Sequence, residues 1–350
     1  MDSLSQAPDM IGEAPQFLDV LAKASAIAPL ERPVLIAGER GTGKELLAAR
    51  LHFLSSRWEG PFIKVNCAAL SEDLLESELF GHEAGAFTGA TKRHAGRFER
   101  AEGGTLFLDE IASASGRIQE KLLRVIEYGE YERLGGTQTH HADVRILAAA
   151  NIDLRASAAK GDFRADLLDR LTFEVITAPP LRERVEDVPL LGGYFAGRFT
   201  SELSAQGYEA LYEGFTPEAL AILKGYSFPG NVRELKNCVE RSVFRWIAAE
   251  KTGPVDTIIL DPFDEGAPPL PKNLAQSAYE PAPQSPGSPI VQNHAPADLR
   301  AFLNGEEEKW TRHALQVHGW NQKRAAKALN LSYDQLRGLI RKHKLKPSAE

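Results

Sequence analysis

Gly38-Glu39-Arg40-Gly41-Thr42-Gly43-Lys44-Glu45 stands between a short apolar run, Val34–Ala37, and a helical pattern carried by Leu46, Leu47, Ala48 and Leu51. Strand, glycine-rich turn and helix, in that order, are the setting of a phosphate-binding loop. The glycines let backbone N–H groups close around phosphate oxygens. The first turn of the helix adds unpaired N–H groups and a partial positive charge. Lys44 supplies a full charge near the terminal phosphates. One position departs from the usual pattern: Glu45 follows the lysine, where a Ser or Thr commonly meets Mg²⁺. A glycine turn with no ligand is the plainer reading of the eight residues alone, and the flanking strand and helix weigh against it.

Outward from this loop, short β-like runs alternate with helical patterns up to about residue 178. The runs are Val34–Ala37, Phe62–Val65, Thr105–Leu108, Val144–Ala150 and Phe173–Ile176. Between them lie stretches such as Ile118–Ile126, whose Ile118, Leu122, Val125 and Ile126 share a face. Such alternation predicts a parallel sheet with helices on both faces. Ahead of it, Phe17, Leu18, Leu21 and Ala22 predict one helix face. Helical patterns at Asp187–Glu202, Pro217–Tyr226 and Asn231–Trp246 predict an all-helical lid. Nine prolines then fall between Pro262 and Pro296 among Ala, Ser and Gln, and read as an extended linker or an arm packed on a neighbour.

Thr105-Leu106-Phe107-Leu108-Asp109-Glu110 is an apolar strand ending in two acids. After a phosphate-binding loop, such a pair fits Asp109 on Mg²⁺ and Glu110 on the attacking water. Asn151 ends the run Val144–Ala150, at the carboxyl end where parallel sheets place ligands; it equally fits a turn before Asp153. Arg164 and Arg170 offer planar, permanently charged forks for phosphate, or local pairs with Asp166 and Asp169. Phe87 lies among small residues in Gly85-Ala86-Phe87-Thr88-Gly89-Ala90. It reads either as an exposed contact on a mobile loop or as a ring folded back into a local pocket. Trp58, in Ser55–Gly60, is either a partner anchor or a lid on local core.

The formal net charge of the 350 residues is −7, which excludes a chain that is basic throughout but not a basic module. Such a module closes the sequence. Between Gly319 and Pro347 eight Lys or Arg face one acid, Asp334. Helical runs at Leu299–Val317, Gln322–Leu329 and Tyr333–His343, with Ser332 as an expected N-cap, predict a helix-turn-helix. Asn321, Lys323, Arg324, Tyr333, Gln335, Arg337, Arg341 and Lys342 are the candidates for DNA. Two distant cysteines, Cys67 and Cys238, suggest neither disulfide nor metal site and fit a reducing cytoplasm. No signal peptide or membrane-spanning run is visible.

Together these residues resemble the bacterial enhancer-binding activators of sigma-54 RNA polymerase, a family of AAA+ ATPases. The likeness covers about residues 10–260 and 298–346, the latter resembling a Fis-like DNA-binding domain. Its most specific element, Gly85–Ala90, matches the family's GAFTGA loop residue for residue, and Glu after the loop lysine is also a family trait. The resemblance implies a lead (1–10), an AAA+ α/β ATPase subdomain (11–180), a helical lid (181–260), a linker (261–297) and a small all-α helix-turn-helix domain (298–350). It implies ATP and Mg²⁺ as ligands, with Gly38, Glu39, Arg40, Gly41, Thr42, Gly43, Lys44 and Glu45 around the nucleotide. Asp109 would hold the metal and Glu110 would activate water, restrained by Asn66 until the nucleotide state changes. Asn151 matches sensor I, with Ala150 where the family carries Thr. Arg164 and Arg170 match paired arginine fingers, and Arg233 matches sensor II. Gly85, Ala86, Phe87, Thr88, Gly89 and Ala90 would touch sigma-54. The expected assembly is a cytoplasmic hexamer bound to enhancer DNA. With no receiver domain ahead of the ATPase, it would be restrained by a separate inhibitory protein, with Trp58 as candidate contact. A DNA-binding regulator whose loop senses nucleotide without hydrolysing it is the alternative.

Overall fold

The computed structural model describes residues 10–208, 211–263, 299–329, 331, 333–343 and 345. The chain forms two compact units, Met1–Ala278 and Tyr279–Glu350. The expected linker falls almost wholly outside the described residues, as do Ser332 and most of the expected lead.

In the first unit, α1 (Pro15–Ile27) leads to β1 (Val34–Ala37), the glycine loop and α2 (Lys44–Phe53). Then come β2 (Phe62–Asn66), α3 (Glu72–Phe80), α4 (Arg97–Arg100) and β3 (Thr105–Asp109). After α5 (Gly116–Tyr128) the short strands β4 (Glu130–Glu132) and β5 (Thr139–His141) pair antiparallel. The chain returns through β6 (Arg145–Ala150), α6 (Leu154–Lys160), α7 (Ala165–Leu171) and β7 (Glu174–Thr177). The main sheet has the order β2-β3-β6-β1-β7, and every pairing in it is parallel.

Side chains alternate across this sheet as the pleat requires. Leu35, Leu106, Leu108, Ile146 and Ala148 enter one apolar cluster with Leu79, Phe80, Phe98 and Leu122. Val34, Ile36, Phe107, Leu147 and Ala149 enter another with Leu47, Leu51 and Ile27. All six residues of β6 are buried, as expected of a central strand covered on both faces. Arg145 at its start keeps its charge by donating to the carbonyls of Ala28 (2.7 Å), Leu51 and Arg32 (both 3.4 Å).

One expectation needs correction. The buried face of α1 is Phe17, Ala24 and Ile27, with Leu21 half-buried; Leu18 and Ala22 face solvent. The β4–β5 hairpin was not anticipated, because Glu130-Tyr131-Glu132 and Thr139-His140-His141 carry almost no apolar alternation.

The lid consists of α8 (Asp187–Ala205), α9 (Pro217–Gly225) and α10 (Asn231–Ala248) around Leu191, Leu223, Phe228, Leu235, Val239 and Val243. Thr216 caps α9 with its hydroxyl and Pro217 opens the helix, a sequence-legible start.

The second unit holds α11 (Leu299–Val317), α12 (Gln322–Ala328) and α13 (Tyr333–Lys342). Ala314, Leu315, Ala325, Ala326 and Leu336 form its core. Gly319 (φ 56°) and Trp320 (φ 60°) end α11 in left-handed backbone, and Trp320 N–H bonds the Leu315 carbonyl at 2.7 Å. Among the described residues no helix is long and apolar enough to cross a membrane.

Candidate nucleotide cleft and exposed loop

Parallel strands bring the candidate residues to one edge. Register sets Asn66 beside Asp109 and Ala37 beside Ala150, so the glycine loop, the acid pair, Asn66 and Asn151 all follow the carboxyl ends of strands. Gly38 N–H bonds the Ala150 carbonyl at 3.1 Å, which fixes the loop's departure from β1. Gly38, Gly41 and Gly43 have φ of 151°, 77° and 95°, the region that glycine enters without strain.

A cleft of 760 Å³ opens here, lined by Gly41, Thr42, Gly43, Lys44, Glu45, Asp109 and Arg233. Met10, Ile11, Phe17, Leu191, Tyr194 and Phe195 line it too, together with Arg184, Arg198 and Lys236, and the Arg184 guanidinium lies over the Phe17 ring at 4.6 Å. Cations and backbone N–H groups beside apolar and aromatic side chains suit a phosphate chain joined to a flat base, and the volume is ample for a nucleotide. The apolar wall was not anticipated, because its residues come from the N-terminal segment and from α8.

The Lys44 ammonium donates to the Gly38 and Glu39 carbonyls at 2.8 and 2.9 Å. Burial pushes its pKa down, while Asp109 and Glu110 push it back up. Burial raises Asp109, opposed by the Glu110 backbone N–H (2.9 Å) and Lys44. A half-desolvated carboxylate beside a phosphate cradle fits a divalent cation, which would relieve that burial cost. Glu110 has φ 51°, left-handed for a non-glycine residue, and its carboxylate pairs with Arg40. Cys67 beside it is inert, its thiol pushed up to about 12 by burial.

Several candidates sit differently from expectation. Asn66 does not hold Glu110; its Oδ1 accepts the Ala68 N–H at 2.8 Å, closing its own turn. The Glu39 carboxylate turns from the phosphate cradle to Arg182, whose Nη1 and Nη2 donate to it at 2.8 and 2.6 Å. Glu45 pairs with Lys64 at 2.7 Å. Arg164 makes the local pair with Asp166 that its sequence also offered, whereas Arg170 pairs with Glu127 rather than Asp169. Neither arginine lines the chain's own cleft.

Residues missed by sequence reasoning join lid to loop. Asn231, fully buried with φ 55°, donates to the Arg40 carbonyl (3.0 Å) and Glu39 (3.1 Å) and accepts the Leu181 N–H (2.8 Å). Val232 N–H bonds the Gly41 carbonyl at 3.0 Å. A Cβ on Gly41 would meet the Gly230 carbonyl at 2.2 Å. Buried Asp187 accepts N–H groups of Glu13 (2.7 Å) and Ala14 (2.9 Å), so the lid also caps α1.

Gly85–Ala90 lies elsewhere, between α3 and α4. Gly85 N–H bonds the Ala90 carbonyl at 2.7 Å, and Cβ atoms on Gly85 or Gly89 would meet nothing within 4 Å. Phe87 is 48% exposed, so it fills no local pocket; its ring meets His82 edge-on at 4.9 Å. The loop root is held by Arg133, which pairs with Glu83 (2.8 Å) and Glu99 (2.6 Å). Trp58 is 55% exposed, which overturns its reading as a lid on core.

In the second unit Lys323, Arg324, Tyr333, Gln335, Arg337 and Arg341 are exposed. Asn321 caps α12 by accepting the Arg324 N–H at 3.2 Å, and Lys342 spends its charge on Glu307.

A parallel sheet with a phosphate-binding loop, an acid pair and a helical lid closing on the loop defines a P-loop ATPase of the AAA+ class. Residues 10–177 match the sigma-54 interaction domain, 182–251 the AAA+ ATPase lid domain and 312–343 the bacterial regulatory protein, Fis family. The chain is 53% identical over 337 residues to the Psp operon transcriptional activator of Escherichia coli K12, covering 96% of itself and 98% of that relative. It is 41% identical over 345 residues to the Nif-specific regulatory protein of Herbaspirillum seropedicae, of which it spans 60%. Among solved structures, NtrX from Brucella abortus in complex with ATP matches with a TM-score of 0.65 at 29% identity, covering 96% of this chain and 70% of NtrX. The chain belongs to the sigma-54-dependent activators: it is a nucleotide-binding AAA+ ATPase joined to a helix-turn-helix DNA-binding domain, and it activates transcription with sigma-54.

Proposed function

We propose that this activator opens promoters of a phage-shock type operon, using ATP hydrolysis to remodel the closed sigma-54 polymerase complex from an enhancer site. The operon assignment rests on the Psp operon activator, matched over nearly its full length. The observation that carries the mechanism is the separation between the nucleotide cleft and the exposed Gly85–Ala90 loop of the same subdomain.

In this reading Lys44 and the loop N–H groups bind and orient the phosphates, and Arg233 reaches them from the lid. Met10, Ile11, Leu191 and Tyr194 exclude water from the base. Asp109, with phosphate oxygens and water, would hold Mg²⁺, which when bound neutralises phosphate charge. Glu110 takes the proton of the attacking water, and Asn151 stands near the same edge. Arg164 and Arg170, off their own cleft, serve a neighbouring subunit in a hexamer. Phe87 and Thr88 press on sigma-54. Lys323, Arg324, Tyr333, Gln335, Arg337 and Arg341 face DNA in the cytoplasm. A separate inhibitory protein acts in trans on exposed Trp58. The domain boundaries follow as a lead to residue 10, ATPase to 180, lid to 260, linker to 297 and the DNA-binding domain beyond.

Binding of purified sigma-54 in the presence of an ATP transition-state analogue tests this reading. Binding that needs the analogue and is lost in Phe87→Ala is expected; binding indifferent to both would contradict it.

A further inference from the structure

Arg40 faces the Glu110 carboxylate fork to fork. Its Nε lies 3.3 Å from Oε1, and Nη2 donates to Oε2 at 3.5 Å. The Glu110 side chain is 19% exposed, and among the described residues no other side chain bonds its carboxylate. The root of Glu110 is fixed, with its N–H on Asp109 Oδ1 at 2.9 Å. Asn66, the expected restraint, is committed to its own turn.

The backbone of Arg40 is held from the opposite side. Its carbonyl accepts the side-chain amide of buried Asn231 at 3.0 Å, and the next carbonyl, of Gly41, accepts Val232 N–H at 3.0 Å. Gly41 sits against the Gly230 carbonyl with no room for a Cβ. One residue therefore joins the start of α10 in the lid to the carboxylate at the end of β3.

We propose that Arg40 is a latch: with the lid in this position it occupies the carboxylate oxygens of Glu110, and movement of the lid during the nucleotide cycle withdraws it. Arg40 acts through Glu110 and is a positioning residue. The inference rests on the reading of Glu110 as the group that activates water. A carboxylate paired with a guanidinium fork is a weaker base, because the pair favours its charged form and holds its oxygens towards the arginine rather than towards water. The arginine is largely in solvent, 69% exposed, so the restraint is weak and reversible.

Steady-state ATP turnover of the full chain is the test, without DNA or sigma-54, at protein concentrations where activity per subunit no longer rises, so that assembly does not enter. Arg40→Ala is expected to raise kcat about two- to fivefold, with KM for ATP changed less than about twofold. Arg40→Lys keeps the charge but not the fork, and falls between. In a Glu110→Gln background Arg40→Ala adds nothing. A kcat at or below wild type in Arg40→Ala, or a rise in KM alone, overturns the latch, the latter by making Arg40 a nucleotide contact. Wild-type turnover in Glu110→Gln alone would instead overturn the reading of Glu110, a distinguishable failure.

Discussion

The nucleotide cleft and the Gly85–Ala90 loop belong to one subdomain and are built in opposite ways. Beside the cleft the polar groups of the glycine loop are held in place. Lys44 bonds two carbonyls, Glu39 is shared by Arg182 and Asn231, and Gly41 touches the lid too closely for a side chain. In the loop, Gly85 and Gly89 have φ of 85° and 105° with open space around them, and Phe87 rests on one imidazole edge. Chemistry needs its groups fixed before reaction, since positioning and preorganised charge supply most of the rate. A loop that delivers movement to a partner needs a surface free to leave its resting place.

Removing the cleft's buried charge has the largest expected effect. Lys44→Ala should lower ATP turnover by about 100-fold or more, read in a phosphate-release assay. A loss under about tenfold would break the claim that the cradle is the rigid end.

The same substitution made in both regions sharpens the contrast. Gly41→Ala meets left-handed backbone at φ 77° and a carbonyl 2.2 Å from its Cβ, so it must displace the lid; KM for ATP should rise roughly tenfold. Gly89→Ala meets only the backbone cost at φ 105°, about 1–2 kcal/mol, and should leave KM within about twofold. Equal effects on KM would show that the two regions are not differently built.

The smallest effect concerns pH. The Arg182 guanidinium, and then the Asn231 amide, hold Glu39 at about 2 against an ordinary 4.5. The unfolded chain takes up that proton first, so the clamp contributes fully above pH 4.5 and fades as pH falls towards 2. Glu39→Gln should melt about 2 °C lower than wild type near pH 7, as for a surface pair, with the gap closing below pH 4.5. A gap independent of pH would remove Glu39 from the clamp.

Legibility in the sequence followed the same division. The glycine loop, the acid pair and Gly85–Ala90 are contiguous, and their chemistry is readable from eight, two and six neighbouring residues. The five parallel strands were readable because short apolar runs alternate with helical patterns, and each was placed within about a residue or two. The clamp was not readable. Arg182 lies 143 residues from Glu39, and Asn231 lies 192 residues from it. A single polar residue carries no periodicity that would announce a distant partner. The role of Asn66 came from the family resemblance alone, and its bond here, forward to its own turn, is one that any Asn at a strand end can make. The local pair of Arg164 with Asp166 was readable, but the partner of Arg170, Glu127 rather than Asp169, is set by packing between α5 and α7.

Sigma-54-dependent transcription in vitro, comparing wild type, Thr88→Ala and Glu110→Gln with ATP turnover measured in parallel, tests the separation of cleft and loop most directly. The expected result is that Thr88→Ala hydrolyses ATP within about twofold of wild type yet opens no promoter, whereas Glu110→Gln does neither. Promoter opening by Thr88→Ala at the wild-type level, or a loss of hydrolysis in step with opening, would contradict the account.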